Sequence, residues 1–346
     1  MRNDLTGAGR QNTARDDGKT SALIVVPCLN EASYIGNLLA QLLAFAERSA
    51  SHVVVVDGGS TDGTLDIVQG IAATHPRLSH LHNPKKIQSA GINLAVRIFG
   101  AGTRHIIRID AHCGYPDDYC AKLIDEAEAT GAGSIVVAMI AAGRGPVQRI
   151  NAAVQNSRLG NGGSRHRRHP TGQYVDHGHH ALILTVVFNA VGGYDESFRC
   201  NEDAELDYRI TQAGYRIWLT ARTAVTYYPR QTLGALFRQY FSYGQGRART
   251  VLKHRIRPIA RQAIVLAVAP SILTAALFAV SLWALLPMAI WALACLGAGA
   301  GIAIRAREPG LLWSGCSAMV MHAAWSFGFW QQVMSRNSGK DGRAIP

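Results

Sequence analysis

The chain has 346 residues, a formal net charge of +12 and a hydrophobic content of 48%. This length is sufficient for one large domain or two ordinary domains, so core size does not restrict the fold. The six cysteines form no C-x-x-C pair, which argues against a zinc ribbon or a disulfide framework and favours a reducing compartment. Residues 1–20 are polar, and we expect them to form a disordered leader rather than a signal peptide.

Apolar runs alternate with helix-like apolar spacings from residue 22 to residue 139. The predicted strands span residues 22–26, 53–56, 105–109 and 134–139. The predicted helices span residues 34–48, 61–73, 89–99 and 117–130, and Thr61 or Asp62 is expected to cap the second of them. This β-α-β alternation predicts a doubly wound α/β sheet.

Residues 157–171 are rich in Gly, Arg and His and predict a mobile loop. Its run Arg165-His-Arg-Arg-His169 is the feature that most favours a nucleic-acid-binding protein. The loop lacks interleaved aromatic residues, so we expect no nucleic-acid partner. After the loop, residues 205–213 predict a helix ended by Gly214, and residues 216–219 predict a short strand. Residues 233–252 predict an amphipathic helix on a membrane surface.

The C-terminal part is apolar, because residues 263–304 carry no charge. At about 1.5 Å per residue this stretch can cross a membrane twice, with a turn expected near Pro287. Basic residues flank the stretch on both sides. By the positive-inside rule, both ends of this hairpin and the preceding domain face the cytoplasm. The flanking basic residues are Lys253, Arg255, Arg257, Arg261, Arg305 and Arg307.

A further uncharged run, residues 310–334, is long enough for a third crossing. Arg336, Lys340 and Arg343 follow it, and they also favour the inside. The sequence leaves open whether this segment crosses the membrane, re-enters it or lies along its surface.

Three acidic clusters occur in order along the chain: Asp57-Gly-Gly-Ser-Thr-Asp62, Asp110-Ala-His112 and Asn201-Glu202-Asp203. The first two follow predicted strands, so we expect them at the sheet edge where ligands bind. An acid followed two residues later by a second metal-capable side chain can hold a divalent cation against a diphosphate. The third cluster offers a candidate proton acceptor. This arrangement predicts an enzyme that acts on a nucleotide-sugar.

Four motifs together resemble those of the family 2 inverting glycosyltransferases of GT-A fold. They are Val25-Val-Pro27-Cys-Leu-Asn30-Glu31, Val56-Asp57-Gly-Gly-Ser-Thr-Asp62-Gly-Thr64, Ile109-Asp110-Ala-His112, and Gly192-Gly-Tyr-Asp-Glu196 leading into residues 201–203. The resemblance covers roughly residues 21–249. Residues 110–116, residues 175–180 and the apolar C-terminal part are similar to the bacterial exopolysaccharide enzymes that include the succinoglycan β-1,3-glucosyltransferase.

The resemblance implies a GT-A domain with a mixed sheet over residues 21–232 and an interfacial helix with a basic linker over residues 233–261. Two or three membrane helices over residues 262–334 and a polar tail, residues 335–346, would follow. It implies transfer of a sugar, glucose first among the candidates, from a UDP-sugar to a polyprenyl-diphosphate-linked saccharide with a β linkage. The enzyme would sit in the inner membrane with its catalytic domain in the cytoplasm, and other exopolysaccharide assembly proteins are candidate partners.

For donor binding, the resemblance points to Pro27, Asn30, Glu31, Asp57 and Asp110. The carboxylate of Asp57 would accept hydrogen bonds from the uracil or the ribose, whereas Asp62 is better explained as a helix cap.

Asp110 is also the expected ligand of a divalent metal, Mn²⁺ or Mg²⁺. His112 departs from the D-x-D pattern that is commoner in the family. Direct ligation by its imidazole would favour Mn²⁺, because Mg²⁺ prefers an all-oxygen shell. The alternative, in which His112 contacts a phosphate or supports a ligand, stays open.

Asp203 is the expected general base, since an inverting transfer needs one carboxylate to take the proton of the acceptor hydroxyl. Glu202 would raise the pKa of Asp203 or bond the acceptor; an acidic helix start is the competing explanation for both. His179, Arg247 and Arg249 are the other candidate acceptor-binding residues. The two arginines would hold a diphosphate or, equally well, attract anionic lipid headgroups.

Several alternatives remain at this point. A polyprenyl-phosphate sugar synthase or a processive polysaccharide synthase would share the fold, although a processive synthase is expected to carry more membrane spans and a clear Gln/Arg/Trp motif. A nucleotidyltransferase would place a Gly-rich loop where this chain has Pro27-Cys-Leu-Asn-Glu31. A catalytically inactive membrane adaptor or a nucleic-acid-binding protein is disfavoured by the intact set Asp57, Asp110 and Asp203.

Overall fold

The structure, a computed structural model, describes residues 22–163 and 171–337. The predicted leader, the run Arg165–His169 and most of the polar tail lie outside the described residues. The strands are β1 (Ala22–Cys28), β2 (His52–Asp57), β3 (Leu78–His82), β4 (His105–Arg108), β5 (Ser134–Ala141), β6 (Gln173–Val175), β7 (His179–Leu184) and β8 (Ile217–Tyr227). The helices of the sheet domain are α1 (Ala32–Ser49), α2 (Thr64–Ala72), α3 (Gln88–Phe99), α4 (Tyr119–Thr130), α5 (Pro146–Gln155), α6 (Arg158–Asn161), α7 (Thr185–Ala190) and α8 (Glu202–Gln212).

The eight strands form one mixed sheet in the order β3-β2-β1-β4-β7-β5-β8-β6. The first four strands are parallel, and β7 runs antiparallel between β4 and β5. The predicted strands are all present. Strands β3, β6 and β7 were not predicted. Apolar and polar residues alternate in β3, β6 has only three residues, and β7 begins with two histidines. The predicted loop after residue 157 contains the short helix α6.

Two hydrophobic clusters cover the two faces of the sheet. Alternate residues of β1 divide between them, with Ile24 on one face and Val25 on the other. The first cluster includes residues of α1, α2 and α4, and the second includes residues of α3, α7 and α8. Because successive side chains of a strand point to opposite faces, an uninterrupted apolar strand needs helices on both sides. The molecule has the doubly wound arrangement that the alternation predicts.

The C-terminal part consists of α9 (Leu233–His254), α10 (Ala260–Leu266), α11 (Val268–Ala275), α12 (Leu286–Ala306) and α13 (Ser314–Asn337). Helix α13 packs along α9 with very close backbones. A Cβ atom on Gly244 would lie 2.0 Å from the Trp325 carbonyl oxygen, and one on Gly328 would lie 2.0 Å from that of Phe241. The third apolar segment is therefore attached to the amphipathic helix, and only glycine fits at this crossing.

Within the described residues, two segments are long and apolar enough to cross a membrane, Ala260–Ala279 and Leu282–Ala306. Large apolar side chains on them are exposed, among them Ile264 at 73% and Trp283 at 79%. The chain reverses between the segments at residues 280–281, not near Pro287 as expected. Pro287 lies in the first turn of α12, where proline costs no hydrogen bond because the first N–H groups of a helix have no partner.

Candidate active site

A cavity of about 870 Å³ opens at the carboxyl ends of β1 and β4, opposite the N-terminus of α8. Seven of the predicted site residues line it: Pro27, Glu31, Asp110, His112, His179, Glu202 and Asp203. Four of them, Asn30, Asp57, Arg247 and Arg249, are not among its lining residues. The second and third acidic clusters therefore meet at this cavity, and the first cluster contributes Gly58 to its lining.

Asp57 ends β2 and is 2% exposed. Its carboxylate accepts hydrogen bonds from the backbone N–H groups of Gly59 (2.8 Å) and Ser60 (3.0 Å) and from the Ser60 hydroxyl. Burial opposes its ionisation, but these bonds outweigh it and lower the pKa of Asp57. The Asp57 carboxylate thus stabilises the turn that follows β2. Its sequence neighbours Val56 and Gly58 both line the cavity.

Asn30 and Asp62 join the loops that follow β1 and β2. The side-chain oxygen of Asn30 accepts from the Thr61 N–H (2.9 Å), and the Asn30 N–H donates to the Ser60 hydroxyl (2.8 Å). Asp62 accepts from the N–H groups of Ala32 (3.0 Å) and Thr64 (3.1 Å). The N-cap of α2 is Gly63, so the expectation that Thr61 or Asp62 caps this helix is wrong. Asp62 lies one residue earlier, and its carboxylate ties the start of α1 to the start of α2.

Asp110 follows β4 and lies partly exposed at the cavity, with its side chain 14% exposed. Its Oδ1 accepts from Gln88 Nε2 (2.6 Å) and Arg108 Nε (3.2 Å), and its Oδ2 lies 3.6 Å from His179 Nε2. Burial alone would raise the pKa of Asp110, but the positive charges of Arg108, His179 and His112 hold it well below its usual range. Asp110 is therefore a carboxylate at neutral pH.

The donor set beside the cavity fits a divalent cation that is bound mainly through its substrate. His112 Nδ1 lies 2.9 Å from Glu31 Oε1, and a carboxylate at one ring nitrogen commonly orients the other nitrogen toward a metal. The hydrogen bond to Glu31 raises the pKa of His112, so a cation would compete with a proton. In the described part of the chain, no group of three or more His, Cys, Asp or Glu residues could hold a metal ion. A cation held by Asp110 and His112 would complete its shell with diphosphate oxygens and water.

The carboxylate of Asp203 lies in the first turn of α8 and faces Arg108, a lone charge in the apolar strand β4. Arg108 Nη1 contacts Asp203 Oδ1 and lies 3.5 Å from Glu202 Oε1. Burial opposes ionisation of Asp203, but Arg108 lowers its pKa, whereas burial and the neighbouring Asp203 raise the pKa of Glu202. The expectation that Glu202 raises the pKa of Asp203 is corrected, because Arg108 dominates at Asp203.

His179 lies between the two functional carboxylates. Its Nε2 is 3.6 Å from Asp110 Oδ2, and its Nδ1 is 3.8 Å from Asp203 Oδ2. The side chain is 10% exposed and lines the cavity. One imidazole therefore separates the donor-side carboxylate from the candidate base.

Comparison with known proteins identifies the family to which this chain belongs. The family model "Glycosyl transferase family 2" matches residues 23–192. The succinoglycan biosynthesis protein ExoA of Rhizobium meliloti (strain 1021) is 53% identical over 315 residues, which cover 91% of this chain and 96% of that protein. The chain belongs to glycosyltransferase family 2. It is a glycosyltransferase of GT-A fold, as the motifs implied.

A shorter match is to the dolichyl-phosphate beta-glucosyltransferase ALG5C of Trichomonas vaginalis, 37% identical over 70 residues and covering 18% of this chain and 21% of that protein. Among solved structures, a mannosyltransferase of Pyrobaculum calidifontis in complex with GDP-Man and Mn²⁺ has a TM-score of 0.58 at 20% identity, covering 91% of this chain and 88% of that one. GalNAc-T7 with UDP, GalNAc and Mn²⁺ has a TM-score of 0.50 at 13% identity, covering 74% and 51%. These structures show the same fold.

The structure of the glycosyltransferase places Arg247 and Arg249 on α9, away from the cavity. Arg247 Nη2 donates to Gln262 Oε1 (3.2 Å), and Arg249 Nη1 donates to the Ser197 carbonyl oxygen (2.8 Å). Arg249 thus ties α9 to the loop that precedes Glu202. The arginines that line the cavity are Arg108, Arg199, Arg230 and Arg238.

Sequence reasoning missed two further parts of the site of the glycosyltransferase. Arg108 was visible as the one charge within Ile106-Ile107-Arg108-Ile109, because a charged residue in a buried strand needs a partner and marks a functional position. Gln239 of α9 donates to the hydroxyl groups of Tyr227 (2.9 Å) and Tyr243 (3.1 Å), which line the cavity with it. Only the long-range contacts of α9 reveal this second group.

Proposed function

We propose that this glycosyltransferase acts in exopolysaccharide biosynthesis. It transfers a sugar, glucose first among the candidates, from a UDP-sugar to a polyprenyl-diphosphate-linked saccharide with inversion. The observation that carries the proposal is that Asp110 and Asp203 face one cavity on opposite sides of His179. Identity of 53% to a succinoglycan biosynthesis protein over nearly the whole chain supports the exopolysaccharide product class.

The donor is held at the β1–β4 side of the cavity. Pro27 and Glu31 line this side, and the Asp57 loop closes it next to Val56 and Gly58, where the nucleotide is expected. Asp110, with His112 beside it, would hold a divalent cation, which would supply charge neutralisation for the departing UDP. His112 is held by Glu31, so these residues position the diphosphate together.

The proton of the acceptor hydroxyl passes to Asp203. Because Arg108 lowers the pKa of Asp203, this carboxylate is ionised at neutral pH and able to accept a proton. The N-terminus of α8 adds a partial positive charge that also favours the ionised form. With the donor on the Asp110 side and the acceptor on the Asp203 side, the hydroxyl attacks opposite the leaving diphosphate, which gives inversion.

The acceptor end of the cavity is aromatic and basic. Tyr228 and Tyr243 line this end with aromatic side chains that suit a saccharide, and Arg238 offers a bidentate contact for a phosphate. Helix α9, which carries Tyr243 and Arg238, packs against α13 and leads to the two candidate membrane spans. This placement favours an acceptor that arrives from the membrane, with the enzyme anchored in the inner membrane and the cavity in the cytoplasm.

The test is transfer of labelled sugar from UDP-glucose, with UDP-galactose as the rival donor, in the presence of Mn²⁺. Membranes that contain lipid-linked saccharide primers are compared with membranes supplied with polyprenyl phosphate alone. We expect label from UDP-glucose in the saccharide-lipid fraction. Transfer to polyprenyl phosphate alone would instead assign a polyprenyl-phosphate sugar synthase, which the short dolichyl-phosphate glucosyltransferase match makes the second candidate. Absence of UDP binding would contradict both.

A further inference from the structure

Behind Asp203 lies a buried imidazole that does not reach the cavity. His180 begins the apolar part of β7 and is 1% exposed. Its Nδ1 lies 3.4 Å from Asp203 Oδ1, and its Nε2 lies 2.7 Å from Asp207 Oδ1. Asp203 and Asp207 are separated by one turn of α8, so both project to the same side of the helix. His180 thus bridges the candidate base and a second, fully buried carboxylate.

Asp207 is fixed on its other side as well. Its Oδ2 accepts from the Gly178 N–H (3.1 Å) and lies 2.9 Å from His177 Nδ1. The Tyr194 hydroxyl lies 2.7 Å from His180 Nδ1. The imidazole of His180 therefore has partners at both nitrogens, which fix its orientation about the Cβ–Cγ bond.

We propose that His180 is a positioning residue for Asp203, oriented by Asp207, and that this buried Asp207–His180–Asp203 series selects the carboxylate oxygen that receives the acceptor proton. Asp203 Oδ1 faces Arg108 and His180, whereas Asp203 Oδ2 faces His179 at the cavity. The proton is consequently taken by Oδ2. The inference rests on the proposed role of Asp203 as the base.

The charges around His180 agree with this role. Burial disfavours its charged form, but Asp207 and Asp203 outweigh burial and raise its pKa, while Arg108 acts in the opposite direction. A positively charged ring stabilises the ionised form of Asp203. The titratable and charged groups that face the ring are Arg108 of β4, Asp203 and Asp207 of α8, and Tyr194. One contact further away, His177 lies beside Asp207, His179 beside Asp203, and Glu202 beside Arg108.

The experiment compares Asp207→Asn with Glu205→Gln in the full-length protein in membranes. Glu205 is also fully buried on α8, but it bonds Arg209, Lys253 and His254 and has no contact with His180. With UDP-glucose as donor, we expect Asp207→Asn to lower kcat roughly 10- to 100-fold, the usual range for loss of a residue that orients a functional group. We expect its KM for UDP-glucose and its affinity for UDP to stay unchanged. Glu205→Gln should retain kcat within about twofold when corrected for folded protein.

A second variant, His180→Gln, adds a readout that packing alone does not change. Without the ring charge the pKa of Asp203 rises, so the acid limb of the kcat profile moves to higher pH. The control His52→Gln removes a half-buried histidine from β2, where it lies 2.9 Å from the Ser79 hydroxyl, and should leave the profile in place.

Each outcome decides the inference. Equal kcat in folded Asp207→Asn and Glu205→Gln, or an unmoved acid limb in His180→Gln, would overturn the role of His180 while leaving Asp203 as base. Normal turnover in Asp203→Asn, or no turnover of UDP-glucose by the wild type, would instead overturn the proposed function and the inference that rests on it.

Discussion

The two sides of the cavity are built in opposite ways. On the donor side, Asp57 is held by Gly59 and Ser60, which are its near neighbours in sequence. On the acceptor side, Asp203 is held by Arg108 and His180, which are 95 and 23 positions away in the chain. The Asp57 part of the donor side is a self-contained loop, whereas the surroundings of Asp203 exist only when β4, β7 and α8 have assembled. The residues of a self-contained loop can be recognised from the sequence, because they are neighbours in it. The partners in a network that joins distant elements cannot be recognised in this way.

The largest effect is expected from removing Arg108, a buried cation that contacts carboxylates on both sides of the cavity. Arg108 is 8% exposed and contacts Asp110, Asp203 and Glu202. Because Arg108→Met leaves buried carboxylates without their partner, it should destabilise the protein by about 3–5 kcal/mol. The measurement is thermal unfolding in detergent. Arg222→Met is the control, since Arg222 is itself exposed and its pair with Asp125 is an exposed one, worth at most about 1 kcal/mol. Equal losses in the two variants would contradict the central place of Arg108.

The second-largest effect is expected when the carboxylate of Asp110 is removed. Asp110→Asn should lower turnover roughly 100-fold or more and raise the Mn²⁺ concentration needed for half-maximal activity, because a cation contributes several kcal/mol of charge stabilisation. His112→Gln leaves the Asp110 carboxylate in place, so it should lower turnover less than Asp110→Asn does. It should also reduce the preference for Mn²⁺ over Mg²⁺. An unchanged Mn²⁺ requirement in both variants would contradict metal binding by Asp110 and His112.

The sequence predicted the donor side more fully than the acceptor side for a physical reason. Asp110 and Asp62 were found because an acid directly after an apolar strand, or before a helix, has a role that local geometry defines. The pairing of Asp203 with Arg108 instead joins α8 to β4, and no spacing rule links these positions. His179 was expected at the cavity and is there, whereas Arg247 and Arg249 lie on a face of α9 that the sequence alone could not orient.

A smaller effect is expected at the self-contained loop. Asp57→Asn keeps the shape of the side chain but removes the charge that three donors of the loop contact. We expect the affinity for UDP to fall about tenfold, the equivalent of one charge-assisted hydrogen bond, with kcat little changed. Ser60→Ala, which removes only the hydroxyl donor, should give a fraction of this loss. Isothermal titration with UDP measures both variants, and a kcat effect without an affinity effect would place Asp57 outside donor binding.

The smallest effect concerns the pH dependence of stability. The pKa values of Asp57, Asp110 and Asp207 are all lowered in the folded state. Their stabilising contribution is therefore present above about pH 4, the usual pKa of an unfolded aspartate, and is lost as the pH falls through the folded-state values. His180 acts in reverse, because its raised pKa stabilises the fold below about pH 6.5 and this contribution disappears as the pH rises.

Unfolding temperatures between pH 7 and pH 3 would measure this dependence. We expect a nearly constant value down to about pH 5 and a steep fall below about pH 4. The fall should be shallower in Asp207→Asn, because this variant has no Asp207 carboxylate whose stabilising contribution could be lost at low pH. Identical profiles for the variant and the wild type would contradict a lowered pKa at Asp207.

The most direct test of the central claim is the turnover of Asp203→Asn, measured with UDP-glucose and lipid-linked primer alongside UDP affinity in the same membranes. Removing a general base typically costs roughly 10²- to 10⁴-fold in rate, so turnover should fall by that amount while UDP binds as in the wild type, and the wild-type product should carry a β linkage. Near-normal turnover in folded Asp203→Asn, or an α-linked product, would contradict inverting transfer with Asp203 as the base.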